Sequence, residues 1–255
     1  MILSTEDLVV GYGEHPIIHH VDLKIPDGKI TALIGPNGCG KSTLLKALAR
    51  LMLPQQGCIR WMEKDIREYS PKSLARCLSL LPQSQEAPEG ITVREIVGYG
   101  RSPHTGFWGR LSEFDQRKVA EAMSLTGVSE FASRDVLSLS GGQQQRVWLA
   151  MTLAQDADYI FLDEPTTYLD LNHQVELMKL MRSLNQRGKT IVTVLHDINQ
   201  ACRYCDHLIV MKSGQLIDQG TPEQVLNDVM LRDVFDLEAE IHRDPVSKTP
   251  MCIVK

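Results

Sequence analysis

The chain has 255 residues, 43% apolar and 23% charged, enough for one large domain or two modest ones with a buried core and a soluble surface. A net charge of −5 argues against a protein held to nucleic acid by a broad basic face. No apolar run approaches the roughly 20 residues of a membrane span, and "MILSTEDLVV" lacks the basic-then-apolar pattern of a secretory signal, so a membrane role is expected to come through a partner.

In chain order, "DLVVGY" and "IIHHVDLKI" alternate as strands do, with a glycine-containing break between them. "GKITALIG" is a short apolar strand, and "KSTLLKALARLM" follows with Leu44, Leu45, Leu48 and Leu51 at helical spacing. "PQQGCIRWM" returns to turn and strand, and "SLSLLPQ" is a strand stopped by Pro82. From about 88 to 153 the pattern is helical, through "TVREIVGYGR", "EFDQRKVAEAMSLTG" and "GGQQQRVWLAMTLAQ". "ADYIFLDEP" is then a strand, "HQVELMKLMRSLNQRGK" an amphipathic helix, "TIVTVLHD" a strand and "INQACRYC" a helix. The CxxC of Cys202 and Cys205 has no second pair to complete a zinc site, so two ordinary thiols are expected. "HLIVMKSGQLIDQG" is a hairpin turning at Ser-Gly, and "TPEQVLND" opens a helix with a Thr cap and a first-turn Pro. This alternation predicts a largely parallel α/β core over about 1–87 and 154–255, with a helical subdomain of about 88–153 set into it.

"GPNGCGKS" matches GxxxxGK[ST] between a predicted strand and a predicted helix, the context in which that motif cradles phosphates. The glycines let backbone N–H groups turn inward, the helix start adds partial positive charge, Lys41 can reach β- and γ-phosphates, and Ser42 can ligate Mg²⁺. "YIFLDEP" puts Asp163 at the end of an apolar strand, where it can hold Mg²⁺ through water, with Glu164 next to it to orient an attacking water. His196 ends another apolar strand; as a lone histidine it is structural or reaches the γ-phosphate region with equal weight. "LSLSGGQQQR" has the look of a second anion-receiving helix start, although the chain already has a phosphate loop.

Together these segments resemble the ATP-binding cassette family over essentially the whole chain. "GPNGCGKST" is similar to its Walker A, "YIFLDE" to its Walker B with catalytic glutamate, and "LSGGQ" to its signature. Gln83 matches the Q-loop, "YLD" ending at Asp170 the D-loop, His196 the switch histidine, and Tyr12 the aromatic residue that stacks on adenine. The D-loop departs slightly, with Thr167 and Tyr168 where Ser and Ala are more usual.

The resemblance implies a P-loop NTPase of RecA-like α/β fold with an N-terminal antiparallel β portion and an inserted helical subdomain. It implies ATP and Mg²⁺ as cofactors. Glu164, His196 and Lys41 would be catalytic, and Ser42, Gln83 and Asp163 would hold the metal. The nucleotide would meet Tyr12, Gly35, Pro36, Asn37, Gly38, Cys39, Gly40, Lys41, Ser42, Thr43, Gln83, Asp163 and Asp170, with Ser140, Gly141, Gly142 and Gln143 supplied by a second copy paired head to tail.

Within the family the chain resembles the ATPase subunits of importers for ferric siderophores, haem and cobalamin, and among these the ferric citrate group. The segments that carry this likeness are "SLLPQSQEAPEGITVREIVGYGR", "DEPTTYLDLNHQVELM", "VLHDINQACRYCDHLIVMKSGQ" and the terminal "EAEIHRDPVSKTPMCIV". The implied assembly has two copies of this chain and two permease subunits at the cytoplasmic face of a bacterial inner membrane. A periplasmic binding protein delivers the substrate, and no nucleic acid takes part. The competing expectation is a soluble cassette protein acting on ribosomes or DNA. One cassette and no sustained heptad run weigh against it.

Overall fold

The computed structural model describes residues 3–106, 109–167 and 169–255. They fall into two units, Met1–Tyr69 with Asn185–Lys255, and Ser70–Leu184. The first begins with β1 (Leu3–Tyr12) and β2 (His15–Ile25), an antiparallel pair. Along β2 the side chains of Val21, Leu23 and Ile25 are buried while Asp22 and Lys24 are exposed, the period of two that seats one face of a sheet on a core. β3 (Ile30–Ile34) is buried at every position and leads through the glycine loop into α1 (Lys41–Leu48). β4 (Gln56–Trp61) pairs with β1 and β5 (Lys64–Asp65) with β4, giving an antiparallel sheet ordered β2-β1-β4-β5. This is the N-terminal antiparallel portion that the resemblance implies.

The second unit opens with α2 (Pro71–Cys77), capped by Ser70 with Pro71 in its first turn, and runs directly into β6 (Leu78–Leu81). α3 (Val93–Tyr99) and α4 (Glu113–Leu125) each start with a reciprocal capping box, Thr92 with Glu95 and Ser112 with Asp115. α5 (Gly141–Ala154), β7 (Tyr159–Leu162) and α6 (Leu171–Gln186) follow. Among the described residues of 88–153 there are three helices, short 3₁₀ turns and one isolated bridge between Thr92 and Asp135. The centre of this region holds a charge. Arg101 is 2% exposed; its Nε donates to Asp115 Oδ1 at 2.8 Å and its Nη1 to Ala154 O at 2.8 Å, tying the start of α4 to the end of α5. The Ser112 hydroxyl, and after it Arg101, hold the Asp115 carboxyl below its ordinary range against the opposing effect of burial.

Back in the first unit come β8 (Thr190–Val194), α7 (Ile198–Tyr204), β9 (His207–Lys212) and β10 (Gln215–Gly220). β3 lies between β8 and β9 and runs parallel to both. Every residue of β3 and β8 is buried, which is why "ITALI" and "TIVTV" carry only apolar residues and threonine, with no charge and no alternation. β10 returns antiparallel to β9 through Ser213 and Gly214, both at positive φ, as the hairpin reading expects. α8 (Pro222–Val225), α9 (Asp228–Phe235) and an antiparallel hairpin of β11 (Ala239–Arg243) and β12 (Pro250–Val254) complete the chain. Cys202 and Cys205 are buried free thiols, and the described residues hold no metal-binding group of three or more His, Cys, Asp or Glu.

Candidate nucleotide site

The loop from Gly35 to Gly40 turns the chain out of β3 and into α1. Gly35 has φ 152°, and a Cβ there would lie 2.2 Å from the Met211 carbonyl oxygen, so no other residue fits. Gly38 and Gly40 are left-handed, at φ 76° and 103°. A Cβ on Gly38 would meet nothing within 4 Å; Asn37 beside it is exposed and Pro36 half-buried. Gly40 caps α1 and, as glycine, brings no cap side chain over the start of the helix. The Lys41 ammonium is buried and donates to Gly35 O at 2.8 Å and Pro36 O at 2.9 Å. A glycine cradle, a helix start and a lysine held inside the loop are the chemistry that suits a polyphosphate. Burial pushes the Cys39 thiol up, with nearby Lys41 pulling the other way, so it is no reactive thiolate. Ser42 is half-buried and Thr43 buried in the first turn of α1.

Register brings His196 to the same level as this loop. Leu33 pairs with Val194, so two residues on, Gly35 and His196 leave their strands together. His196 is exposed, and Asp197 after it caps α7 by accepting from Gln200 N at 3.0 Å. Tyr12 ends β1 with 55% of its surface exposed, which leaves ring area for stacking.

The second unit repeats the construction. Leu81 pairs with Leu162, and Asp163 N donates to Leu81 O at 2.9 Å, prolonging the ladder by one bond. Two residues beyond each strand, Gln83 and Glu164 meet: Gln83 Nε2 donates to Glu164 Oε2 at 2.8 Å. The Thr167 hydroxyl is 3.5 Å from the same oxygen. Asp163 has no exposed surface. Glu164 has φ 50°, a left-handed backbone that costs a residue with a Cβ, and such strain clusters at functional sites. The sequence suggests Gln83 at the metal and Glu164 at a water; their direct bond is not visible in it.

Ser140 caps α5. Its Oγ accepts from Gln143 N at 3.4 Å, and Gln143 Oε1 accepts from Ser140 N at 3.0 Å. Ser140 and Gly141 are exposed, and Gly142 and Gln143 half-buried. The Ser-x-x-Gln spacing of a capping box was legible in "SGGQ" beside the anion reading. Asp170 is exposed and caps α6, its Oδ1 accepting from His173 N at 2.9 Å and lying 2.8 Å from His173 Nδ1. The His173 N–H holds the Asp170 carboxyl below its ordinary range. Tyr168 lies outside the described residues, so its bulk in the D-loop is not placed. No nucleotide motif includes His173, announces the Gln83–Glu164 bond or marks the Arg101–Asp115 pair.

The family model described as ABC transporter matches residues 18–167. The chain belongs to the ABC transporter family. This ABC ATPase is 50% identical over 252 residues to the petrobactin import ATP-binding protein of Bacillus anthracis, covering 98% of this chain and 92% of the relative. It is 44% identical over 253 residues to the ferric enterobactin transport ATP-binding protein of Escherichia coli, covering 98% and 93%. Among solved structures it is similar to a dimeric ATP-binding cassette in a post-hydrolysis state bound to ADP and Pi, at TM-score 0.77 and 28% identity, covering 86% of this chain and 98% of that one.

Proposed function

We propose that this ABC ATPase is the ATP-hydrolysing subunit of a bacterial importer of iron(III) chelates, siderophores or ferric citrate. The observation that carries the reading is identity of 44–50% over 98% of the chain to relatives named for petrobactin import and ferric enterobactin transport. The transported chelate does not touch this subunit, so the proposal rests on ancestry. No helix among the described residues is long and apolar enough to cross a membrane. By its likeness to import ATP-binding proteins, the chain works in this reading as a peripheral subunit at the cytoplasmic face of the inner membrane, with two permease subunits and, on the far side, a periplasmic binding protein. In the second unit a groove of about 700 Å³, lined by Arg94, Tyr99, Ser102, Leu111 and Gln116, is the surface we assign to a permease loop. The helical subdomain of about 88–153 carries it.

Mg²⁺ is assigned to Ser42, Gln83 and Asp163. One carboxylate, one hydroxyl and one amide oxygen suit a hard cation that keeps waters and phosphate oxygens as its other ligands. Bound there, it neutralises phosphate charge. Lys41 and the loop N–H groups hold the phosphates, Glu164 accepts a proton from the attacking water, and His196 fixes the γ-phosphate end. Ser140 to Gln143 of one copy close the site of the other, so each phosphate group is met by helix starts from both sides.

The test is co-purification and uptake. The chain should sediment with membranes only alongside its permease, and cells lacking it should lose radioiron uptake from a siderophore. A chain that stays soluble with the permease present and travels with ribosomes would end this reading. The second-copy role has its own check. Ser140→Arg, at an exposed position, should leave ATP binding by the monomer unchanged and abolish the ATP-dependent dimer in size exclusion with light scattering. A variant that still dimerises removes the shared-site model.

A further inference from the structure

The C-terminal hairpin is bound to α7 by one side chain that uses both of its functional atoms. Asn199 Nδ2 donates to Cys252 O at 3.0 Å, and Asn199 Oδ1 accepts from Cys252 N at 2.8 Å. An amide paired both ways with one residue's backbone fixes direction as well as distance, as a rung of a β ladder does. A second tie lies at the other end of α7: Arg203 Nε is 3.6 Å from Asp244 Oδ2, in the hairpin's turn. Asp244 is itself anchored, because its Oδ1 accepts from Val246 N at 2.7 Å and Ser247 N at 3.1 Å. Ala201 and Cys202 on α7, and Pro250 and Cys252 on β12, are buried.

α7 begins immediately after His196, with Asp197 as its cap and Asn199 in its first turn. On the other side of His196 is β8, buried along its whole length. The histidine is therefore the joint between a fixed strand and a short helix that packs on the hairpin on one side and on β3 on the other. A seven-residue helix has little stability of its own, so its placement depends on what it packs against.

We infer that Asn199 is a positioning residue for His196, through which the C-terminal hairpin sets where the histidine stands during ATP hydrolysis. This rests on the assignment of His196 to the γ-phosphate end. No nucleotide-binding motif includes Asn199, and nothing in its pairing calls on nucleotide binding.

The experiment measures ATP hydrolysis by the full chain in complex with its permease, for Asn199→Ala, Arg203→Ala, His196→Ala and the Asn199→Ala/His196→Ala double variant. Misplacing the histidine should lower kcat of Asn199→Ala on the order of tenfold with KM for ATP unchanged, and Arg203→Ala should show a smaller fall in kcat alone. In the His196→Ala background Asn199→Ala should have no further effect, because the two act on one element. If His196→Ala turns over normally, the histidine assignment fails and the inference with it. If His196→Ala is slow while Asn199→Ala is not, the inference alone falls. It also falls if the two losses multiply in the double variant, or if kcat recovers once corrected for the fraction folded in a thermal melt.

Discussion

Glu164→Gln should lower steady-state ATP hydrolysis by roughly 10²- to 10⁴-fold, the contribution of a positioned general base, while nucleotide binding is kept. The side chains have the same shape, and the backbone at φ 50° is retained, so the fold has no reason to change. What changes is the acceptor. Glu164 Oε2 takes the Gln83 Nε2 hydrogen at 2.8 Å, and the substituted amide keeps an oxygen for that bond but cannot accept a proton from water. ATP should bind, close two copies together and stay uncleaved. A trapped dimer in light scattering, with ATP recovered from it intact, is the expected observation. Full turnover by the variant would remove Glu164 from the reaction.

The largest stability effect is expected at Arg101, which no nucleotide motif includes. Replacing it by alanine leaves the Asp115 carboxylate, 6% exposed, without its cation, and strips the Ala154 carbonyl of a donor. Breaking one side of a buried pair costs about 3–5 kcal/mol. The urea midpoint should drop at unchanged slope. An Arg101→Met/Asp115→Leu double variant should recover the part of the loss that comes from the orphaned charge, less the capping-box bonds that Asp115 makes to Ser112. The pH dependence has a definite sign. A carboxyl held low in the folded state adds stability above the ordinary carboxylate range and loses it as pH falls through the lowered value. Wild type should therefore weaken in acid, and the double variant should show a flatter acid limb.

The phosphate loop was legible in the sequence because its chemistry is local. Nine consecutive residues carry the glycines, the lysine and the hydroxyls, and the flanking strand and helix have clear periods. The fully buried strands were legible for the same reason. Gln83 and Glu164 were found one at a time, but their bond depends on the pairing of β6 with β7, which no local pattern encodes. Arg101 and Asp115 were silent because each is an ordinary charged residue until packing encloses it. The hairpin of β11 and β12 gave only a likeness to a terminal extension. Its strands are short and Ile253 and Val254 face solvent, so the alternation that marks a strand is weak. α2 was missed although "SPKS" carries a cap and a first-turn proline, because seven residues show too little periodicity.

The meeting of Gln83 and Glu164 also sets what lengths of chain can change. Both sit two residues past the paired Leu81 and Leu162, so their encounter is counted in residues from a shared rung. A length change confined to the loops that join the helices between Gln83 and Tyr159 leaves that count intact. One residue added at Pro82 or at Asp163 advances one strand end but not the other and turns its side chain to the opposite face. The pair is thus indifferent to loop length between its strands and intolerant of any change in its two short spacers.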